Sequence, residues 1–248
     1  MALEKIMEVN GLSVCYDGKT ILSDVSFPVY SGKVTAILGI SGSGKTTVLR
    51  HMLGLHPVEE GKITVLGKDI STLSEQEQTM LYMKMGVFYQ TGGLLGSLTV
   101  GENVALPMEQ HTNLPKDIIR EIAKLKLSLV NLQHTYNMYP SQLSGGMFKR
   151  AALARAIVMD PLMLLCDEPG AGLDPVSLAS LDQLLLDLKK LMKMSIILVT
   201  HEVSSILRIA DRIIFLENAK VLFEGTLSDA LKSKKESIIN FFDKGKGK

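Results

Sequence analysis

Gly39-Ile40-Ser41-Gly42-Ser43-Gly44-Lys45-Thr46 decides the fold of this chain. Two glycines bracket four residues and are followed by Lys and Thr, the pattern of a phosphate-binding loop, or P-loop. Just upstream, Val34-Thr35-Ala36-Ile37-Leu38 is apolar and β-branched, as a buried parallel strand should be. Just downstream, the residues from Thr47 to Leu53 read as a helix. The glycines let the backbone curl until successive N–H groups point inward at phosphate oxygens. The helix start adds its positive end to the same place. Lys45 supplies a point charge for terminal phosphates and Thr46 a hydroxyl for Mg²⁺. Gly39, Ile40, Ser41, Gly42, Ser43, Gly44, Lys45, Thr46 and Thr47 are therefore the candidate nucleotide-binding set. The alternative is a glycine-rich strand-to-helix turn with a chance Lys-Thr, and the flanking pattern opposes it.

Moving outward, residues 6–30 read as antiparallel strands around an Asp17-Gly18 turn. Tyr16 ends one of them, either as a ring that stacks on a nucleobase or as an ordinary surface or core tyrosine. Downstream, Lys62 to Leu66 is a short strand, and Ser74-Glu75-Gln76-Glu77 is a capping box that opens a helix to about Met85. Val87-Phe88-Tyr89 is strand-like and ends at Gln90. Gly92, Gly93 and Gly96 mark a loop, and Thr99 to Glu102 caps a short helix broken before Pro107. Pro115 opens a longer helix to about Val130, whose stripe of Ile118, Ile119, Ile122, Leu125 and Leu129 is core or interface. Ser144-Gly145-Gly146 leads a further helix, and is either a second anion site or a plain flexible cap.

Leu162-Met163-Leu164-Leu165-Cys166 reads as a buried strand that delivers Asp167 and Glu168. Adjacent carboxylates at the end of such a strand are costly unless they meet a cation or water. The carboxyl ends of open α/β sheets are where ligands bind. Asp167 can thus hold Mg²⁺ through water and Glu168 can orient an attacking water. A third buried strand, Ser195 to Thr200, delivers His201 at the ligand end, where it can meet a γ-phosphate. A hairpin spans residues 213–223, a helix starts at Ser228, and a tail presents Ile238, Ile239, Phe241 and Phe242 together among lysines, either to dock on a partner or to pack on its own domain.

The 248 residues carry a formal net charge of +1, which exerts no general pull toward nucleic acid or anionic lipid. No apolar run approaches the roughly 18 residues of a membrane span, and no signal peptide is visible. The two cysteines, Cys15 and Cys166, suggest no disulfide framework and fit a reducing cytosol.

The order P-loop, Gln90, Leu143-Ser144-Gly145-Gly146, Asp167-Glu168, Ala171-Gly172-Leu173-Asp174, His201 resembles the nucleotide-binding domain of an ATP-binding cassette (ABC) transporter. The resemblance implies a P-loop NTPase α/β fold of the ABC ATPase kind, with an N-terminal antiparallel β subdomain. It implies a nucleotide-binding domain over 1–227 with an inserted helical subdomain at about 91–160, then a C-terminal helix and tail over 228–248. It further implies ATP and Mg²⁺ as ligands and a head-to-tail homodimer. In that dimer the signature residues Ser144, Gly145, Gly146 and Met147 of one copy close on ATP held by the other, and Asp174 serves as the D-loop acid. Tyr16 becomes the base-stacking aromatic, Gln90 a sensor of Mg²⁺ and γ-phosphate, Glu168 the catalytic base and His201 the γ-phosphate contact.

Met147 stands where the superfamily usually has Gln, which an apolar thioether cannot replace as a hydrogen-bonding group. Met147 with the run from Lys149 to Ala156, and the stretch from Tyr89 to Pro107, resemble the Mla-type (Mce-associated) lipid-transport ATPases. That likeness implies an ATPase on the cytoplasmic face of a bacterial inner membrane, a separate permease, an Mce-type substrate-binding protein and a small accessory subunit. Leu94, Leu95 and Leu98 would then form the permease contact, unless they turn inward and pack the helical subdomain. Two other readings stand beside it, the ATPase of a small-solute importer and a soluble ABC ATPase with no membrane partner.

Overall fold

A computed structural model of the chain describes residues 3–246. In order, the elements are β1 (Lys5–Tyr16), β2 (Lys19–Tyr30), β3 (Val34–Gly39), α1 (Lys45–Met52), β4 (Glu60–Val65), β5 (Lys68–Asp69) and α2 (Glu75–Tyr82). There follow β6 (Met85–Phe88), α3 (Val100–His111), α4 (Lys116–Leu129), α5 (Gly145–Ala156), β7 (Met163–Asp167) and α6 (Pro175–Met192). The chain continues with β8 (Ser195–Val199), α7 (Val203–Ile209), β9 (Arg212–Glu217), β10 (Lys220–Thr226), α8 (Leu227–Leu231) and α9 (Glu236–Lys246). They form two compact units, one running to Tyr82 and resuming at Ser195, the other spanning Met83–Met194. Residues 247 and 248 lie outside the described residues.

The first unit contains a 4-stranded sheet in the order β2-β1-β4-β5. Ile6–Val9 and Leu12–Tyr16, which read from the sequence as two runs, form one strand, β1, whose pairing with β2 shifts register between Val9 and Leu12. The shift absorbs Gly11, at φ 63, so the chain bends without ending the strand. The same unit contains the strand order β10-β9-β3-β8, with β3 parallel to both β8 and β9. Every residue of β3 is buried, which explains its unbroken apolar run. Asn218 and Ala219 join β9 to β10 with positive φ at both positions, the geometry of a tight hairpin turn.

Of the two readings of the C-terminal tail, packing on its own unit is the one the structure shows. The tail folds as α9, and helical spacing puts Ile238 and Phe242 on one face, where they are buried with Ile206, Phe215 and Ala230. Phe241 packs edge-on against Phe215, with ring centroids 5.5 Å apart. Of the four apolar tail residues only Ile239 is exposed. The apolar cluster is thus the face that seats the helix on its own unit.

In the second unit β6 runs parallel to β7, Met85 opposite Met163 and Phe88 opposite Cys166. That pairing claims Met85 for a strand, so α2 stops at Tyr82 rather than near Met85. It also ends the strand at Phe88, two residues short of Gln90. The predicted break before Pro107 does not occur, and α3 continues to His111. A proline inside a helix costs roughly 3 kcal/mol. Burial of Val100, Val104, Ala105 and Met108 on both sides of it outweighs that cost. The buried face of α4 is Ile119, Ala123 and Leu127, so Ile118 and Leu125 of the predicted stripe point outward. Among the described residues, no helix is long and apolar enough to cross a membrane.

Candidate nucleotide site

In the first unit the P-loop leaves the end of β3 and enters α1 through Gly44, at φ 95. A side chain at Gly44 would collide with Leu22. One at Gly39, at φ +150, would collide with the Leu216 carbonyl and Ser43 Oγ. Gly44 makes no side-chain cap to the start of α1. Ser43 Oγ is buried and has no hydrogen-bond partner. Lys45 Nζ folds back to donate to the carbonyl oxygens of Gly39 and Ile40, both at 2.9 Å. Residues 19–21 and 42–47 surround a cavity of about 320 Å³. A helix start with no side-chain cap and an orphaned hydroxyl, with an ammonium beside them around one cavity, fit a polyphosphate, which would give the first two a partner and match the charge of the third. Thr46 is exposed at the edge and Thr47 half-buried.

Tyr16 is 45% exposed, and only Asp17 and Gly18 separate it from the residues 19–21 that line this cavity. Its ring lies 6.3 Å from that of His56, which in turn lies 5.4 Å from that of His51. His201 follows Thr200 at the end of β8, the direct parallel neighbour of β3, so it emerges at the same edge as the P-loop. Its Nε2 is 3.7 Å from Glu202 Oε1.

In the second unit Asp167 and Glu168 follow four fully buried residues of β7 and are themselves half-buried. Cys166, the last of the four, is core, and burial raises its thiol pKa well above the ordinary value. Glu168 sits at φ 45, unusual for a residue without glycine's freedom, and the following proline restricts it further. The Ala171 N–H closes the turn onto the Glu168 carbonyl at 3.1 Å. Asp174 caps α6, accepting from the N–H groups of Val176 and Ser177 at 3.0 Å each. The Ser177 hydrogen bonds hold its carboxyl pKa below the usual value. Among the described residues no three His, Cys, Asp or Glu side chains gather as a metal site.

Ser144 caps α5, its Oγ accepting the Met147 N–H at 3.3 Å, and it stays exposed with Gly145. Gln90 is exposed in a turn after β6. Leu95 is 46% exposed, whereas Leu94 and Leu98 are half-buried, so the three leucines do not present a single outward patch.

Three residues that shape this loop carry no role in the sequence reading. Lys149 is buried and its Nζ donates to the Gln90 carbonyl. The Arg155 guanidinium donates to the carbonyls of Gly93 at 2.6 Å and Gly92 at 3.2 Å. Asn103 is fully buried, accepts the Leu95 N–H at 2.7 Å and donates to the carbonyls of Leu95, Leu98 and Thr99 at 3.0, 3.2 and 3.0 Å. The available signal is polarity out of place: Asn103 stands between Val100 and Val104 on a buried helix face, and Lys149 and Arg155 flank a run of Ala and Leu. Asn103→Ala is expected to cost about 2–3 kcal/mol, because it strips partners from several partly buried backbone groups at once. A thermal melt should register this as a fall of roughly 5–10 °C. An unchanged melt would mean that the loop holds its shape without Asn103.

The ABC transporter family matches residues 22–171 of the chain. The MlaF ATP-binding protein of an intermembrane phospholipid transport system in Haemophilus influenzae is 38% identical over 96% of this chain and 90% of that protein. The methionine import ATP-binding protein MetN of Escherichia coli O157:H7 is 38% identical over 89% of this chain and 64% of that protein. Among solved structures, cbiO1 from Clostridium perfringens, part of the ABC transporter complex cbiONQ, superposes with a TM-score of 0.85 at 29% identity, covering 93% of this chain and 92% of that one. A dimeric ATP-binding cassette in a post-hydrolysis state with ADP and Pi gives 0.81 at 29% identity, covering 89% and 98%. A P-loop ready for a polyphosphate, an ABC ATPase cassette fold and sequence likeness along nearly the whole chain agree, and the chain belongs to the ABC transporter family as an ATPase subunit.

Proposed function

We propose that this ATPase works as a homodimer on the cytoplasmic face of a bacterial inner membrane and powers phospholipid movement through a separate permease. The observation that carries the lipid reading is the likeness to MlaF, which spans nearly all of both chains. Met147 and the stretch from Tyr89 to Pro107 support it from the sequence. A small-solute importer is the competing reading, favoured by the equal identity to MetN, but this chain spans only 64% of that protein. An Mce-type substrate-binding protein and a small accessory subunit complete the proposed assembly.

Residues 1–227 serve as the nucleotide-binding domain, with the helical segment 91–160 as its permease-facing part. Tyr16 stacks on the adenine, and the backbone of residues 39–47 with Lys45 holds the phosphates. Thr46, Gln90 and Asp167 would hold Mg²⁺, which neutralises phosphate charge when bound; one carboxylate is the usual protein share for an ion that keeps phosphate and water ligands. Glu168 accepts a proton from the attacking water and His201 donates to the γ-phosphate. Ser144, Gly145, Gly146 and Met147 close on the ATP of the other copy, with Asp174 fixing the adjacent turn.

Purification of the intact complex from membranes, followed by lipid analysis, tests the substrate. Phospholipid retained with a polytopic partner and released on ATP addition is expected; a complex that binds only polar solutes would favour the importer. Leu95 offers a sharper test of the contact surface, since it is the most exposed of the three leucines. Leu95→Asp should leave folding and ATP binding intact while weakening association with the permease at least about tenfold, because a buried unpaired carboxylate opposes docking. Normal co-purification of this variant would move the contact elsewhere.

A further inference from the structure

Tyr16 ends β1 where the chain turns through Asp17 and Gly18, at φ 50 and 75, and it pairs with Lys19 of β2. That pairing fixes the backbone of Tyr16 but leaves its side chain a choice of rotamers. An exposed ring at a strand end would have to be ordered each time a base stacked on it, at a cost in side-chain entropy. His56 braces it. The His56 ring lies 6.3 Å from that of Tyr16, centroid to centroid, with the planes at 60°. The His51 ring lies 5.4 Å from that of His56, with the planes at 34°. Both separations fall in the roughly 4.5–7 Å range of interacting ring pairs.

The sequence builds this column by ending α1 sharply. Gly54, at φ 66, donates its N–H to the His51 carbonyl at 2.9 Å, and Leu55 donates to the Arg50 carbonyl at 2.9 Å. These two bonds close a helix through a left-handed glycine and reverse the chain. A side chain at Gly54 would collide with the Tyr82 hydroxyl. The reversal returns His56 to the side of His51, and Pro57 restricts His56 to extended backbone. His51 is buried on α1, and its Nδ1 donates to the Thr47 carbonyl at 2.8 Å, since a carbonyl only accepts. His56 therefore rests on a ring that is itself fixed. The three rings line a cavity of about 110 Å³. That is smaller than the roughly 300–1,000 Å³ of ligand pockets, so it is packing space beside the rings and not a second site.

We infer that His56 is a positioning residue for the nucleobase: seated on His51 of the P-loop helix, it holds the Tyr16 ring in the orientation on which a purine stacks. The inference rests on the base-stacking role proposed above for Tyr16. The column joins the base platform to the helix that starts at the phosphate cavity, so base and phosphates meet one preformed frame. His56 lies outside the residues 19–21 and 42–47 that surround that cavity, so its effect falls on the base and not on the phosphates.

Equilibrium binding to the purified full chain tests this, with Mg-ATP as one probe and inorganic tripolyphosphate, which lacks the base, as the other. His56→Ala is expected to weaken Mg-ATP binding about fivefold, the scale of one ring pair, and to leave tripolyphosphate binding as in wild type. KM for ATP should rise by the same factor while kcat at saturation holds, the pattern of lost uniform binding. His56→Phe, which keeps a flat ring, should bind Mg-ATP as tightly as wild type. His56→Leu, which keeps bulk without the ring, should show the full loss. In a Tyr16→Ala background His56→Ala should cost nothing further, since the ring it positions is gone. Normal Mg-ATP affinity in His56→Ala, equal weakening of tripolyphosphate, a His56→Phe variant as weak as His56→Ala, or losses that multiply in the double mutant would each overturn the inference. If His56→Ala fails to fold, His56→Leu takes its place in every comparison. Unchanged Mg-ATP affinity in Tyr16→Ala alone would instead overturn the base-stacking reading beneath it.

Discussion

Glu168→Gln should lower ATP turnover by at least ~100-fold, the scale of losing a general base, while leaving ATP binding intact. Glu168 follows Asp167 at the end of a strand whose first four residues are buried, so the place where its side chain leaves the sheet is set by the core. Its backbone sits at φ 45 ahead of Pro169, a conformation that costs about 1–3 kcal/mol and must be held by its surroundings. The Ala171 N–H supplies part of that restraint. Gln matches Glu in length and shape and occupies the same backbone, so the turn survives the change. What disappears is the negative charge that draws a proton from water. The mutant should therefore be stabilised by Mg-ATP as much as wild type, and should accumulate as an ATP-bound dimer detectable by size-exclusion chromatography. Near-normal phosphate release would remove Glu168 from the chemistry. A loss of ATP stabilisation would mean that its charge serves binding.

The parts of this protein that were legible in its sequence are those whose cause is local. A strand, a glycine-rich turn and a helix occur within 20 residues, and the residue pattern that announces them lies within that span, although β3 takes its hydrogen bonds from the distant β8 and β9. The capping box at Thr99 and Glu102 is readable for the same reason. What was hidden depends on partners far away in the chain. Met85 looks helical until Met163 pairs with it, and Pro107 looks like a stop until the buried face on either side is known. Lys149 and Arg155 look like a solvated face of an Ala-rich helix, because nothing nearby in sequence says that backbone carbonyls about 60 residues upstream need donors. The tail was half legible: its apolar run holds core residues, but only helical spacing decides that Ile238 and Phe242 turn inward while Ile239 stays exposed. Gln90 and Ser144 are a different case. Their roles came from resemblance, and the geometry adds that one helix holds both.

Ser144→Arg should reduce hydrolysis to background while the isolated subunit still binds ATP. Ser144 and Gly145 are exposed at the start of α5, and nothing lies within 4 Å of where a Gly145 side chain would be. Nothing in its own unit crowds this corner, as expected of a surface that meets a second copy. The change also removes the Oγ that accepts the Met147 N–H, so a modest loss of helix stability, about 1 kcal/mol, accompanies it. That loss alone does not stop turnover, and subunit mixing separates the two effects. If each site is shared head to tail, Ser144→Arg in one copy destroys the site built on the other copy's Lys45. Mixing Ser144→Arg subunits with Lys45→Ala subunits then restores activity, because every mixed dimer keeps one site with an intact Lys45 and an intact Ser144. At equal amounts the recovered rate should reach at most roughly a quarter of wild type, since half the dimers are mixed and each has one competent site. Placing both changes in one subunit and pairing it with wild type should yield mixed dimers with no activity, since each change spoils a different site. A site confined to one subunit predicts the reverse: no rescue in the first mixture, and one working subunit in every mixed dimer of the second. At equal amounts the second mixture keeps roughly a quarter of the wild-type rate, from wild-type dimers alone, if the site is shared and about half if it is not, so a dead first mixture beside a half-active second would exclude the head-to-tail dimer.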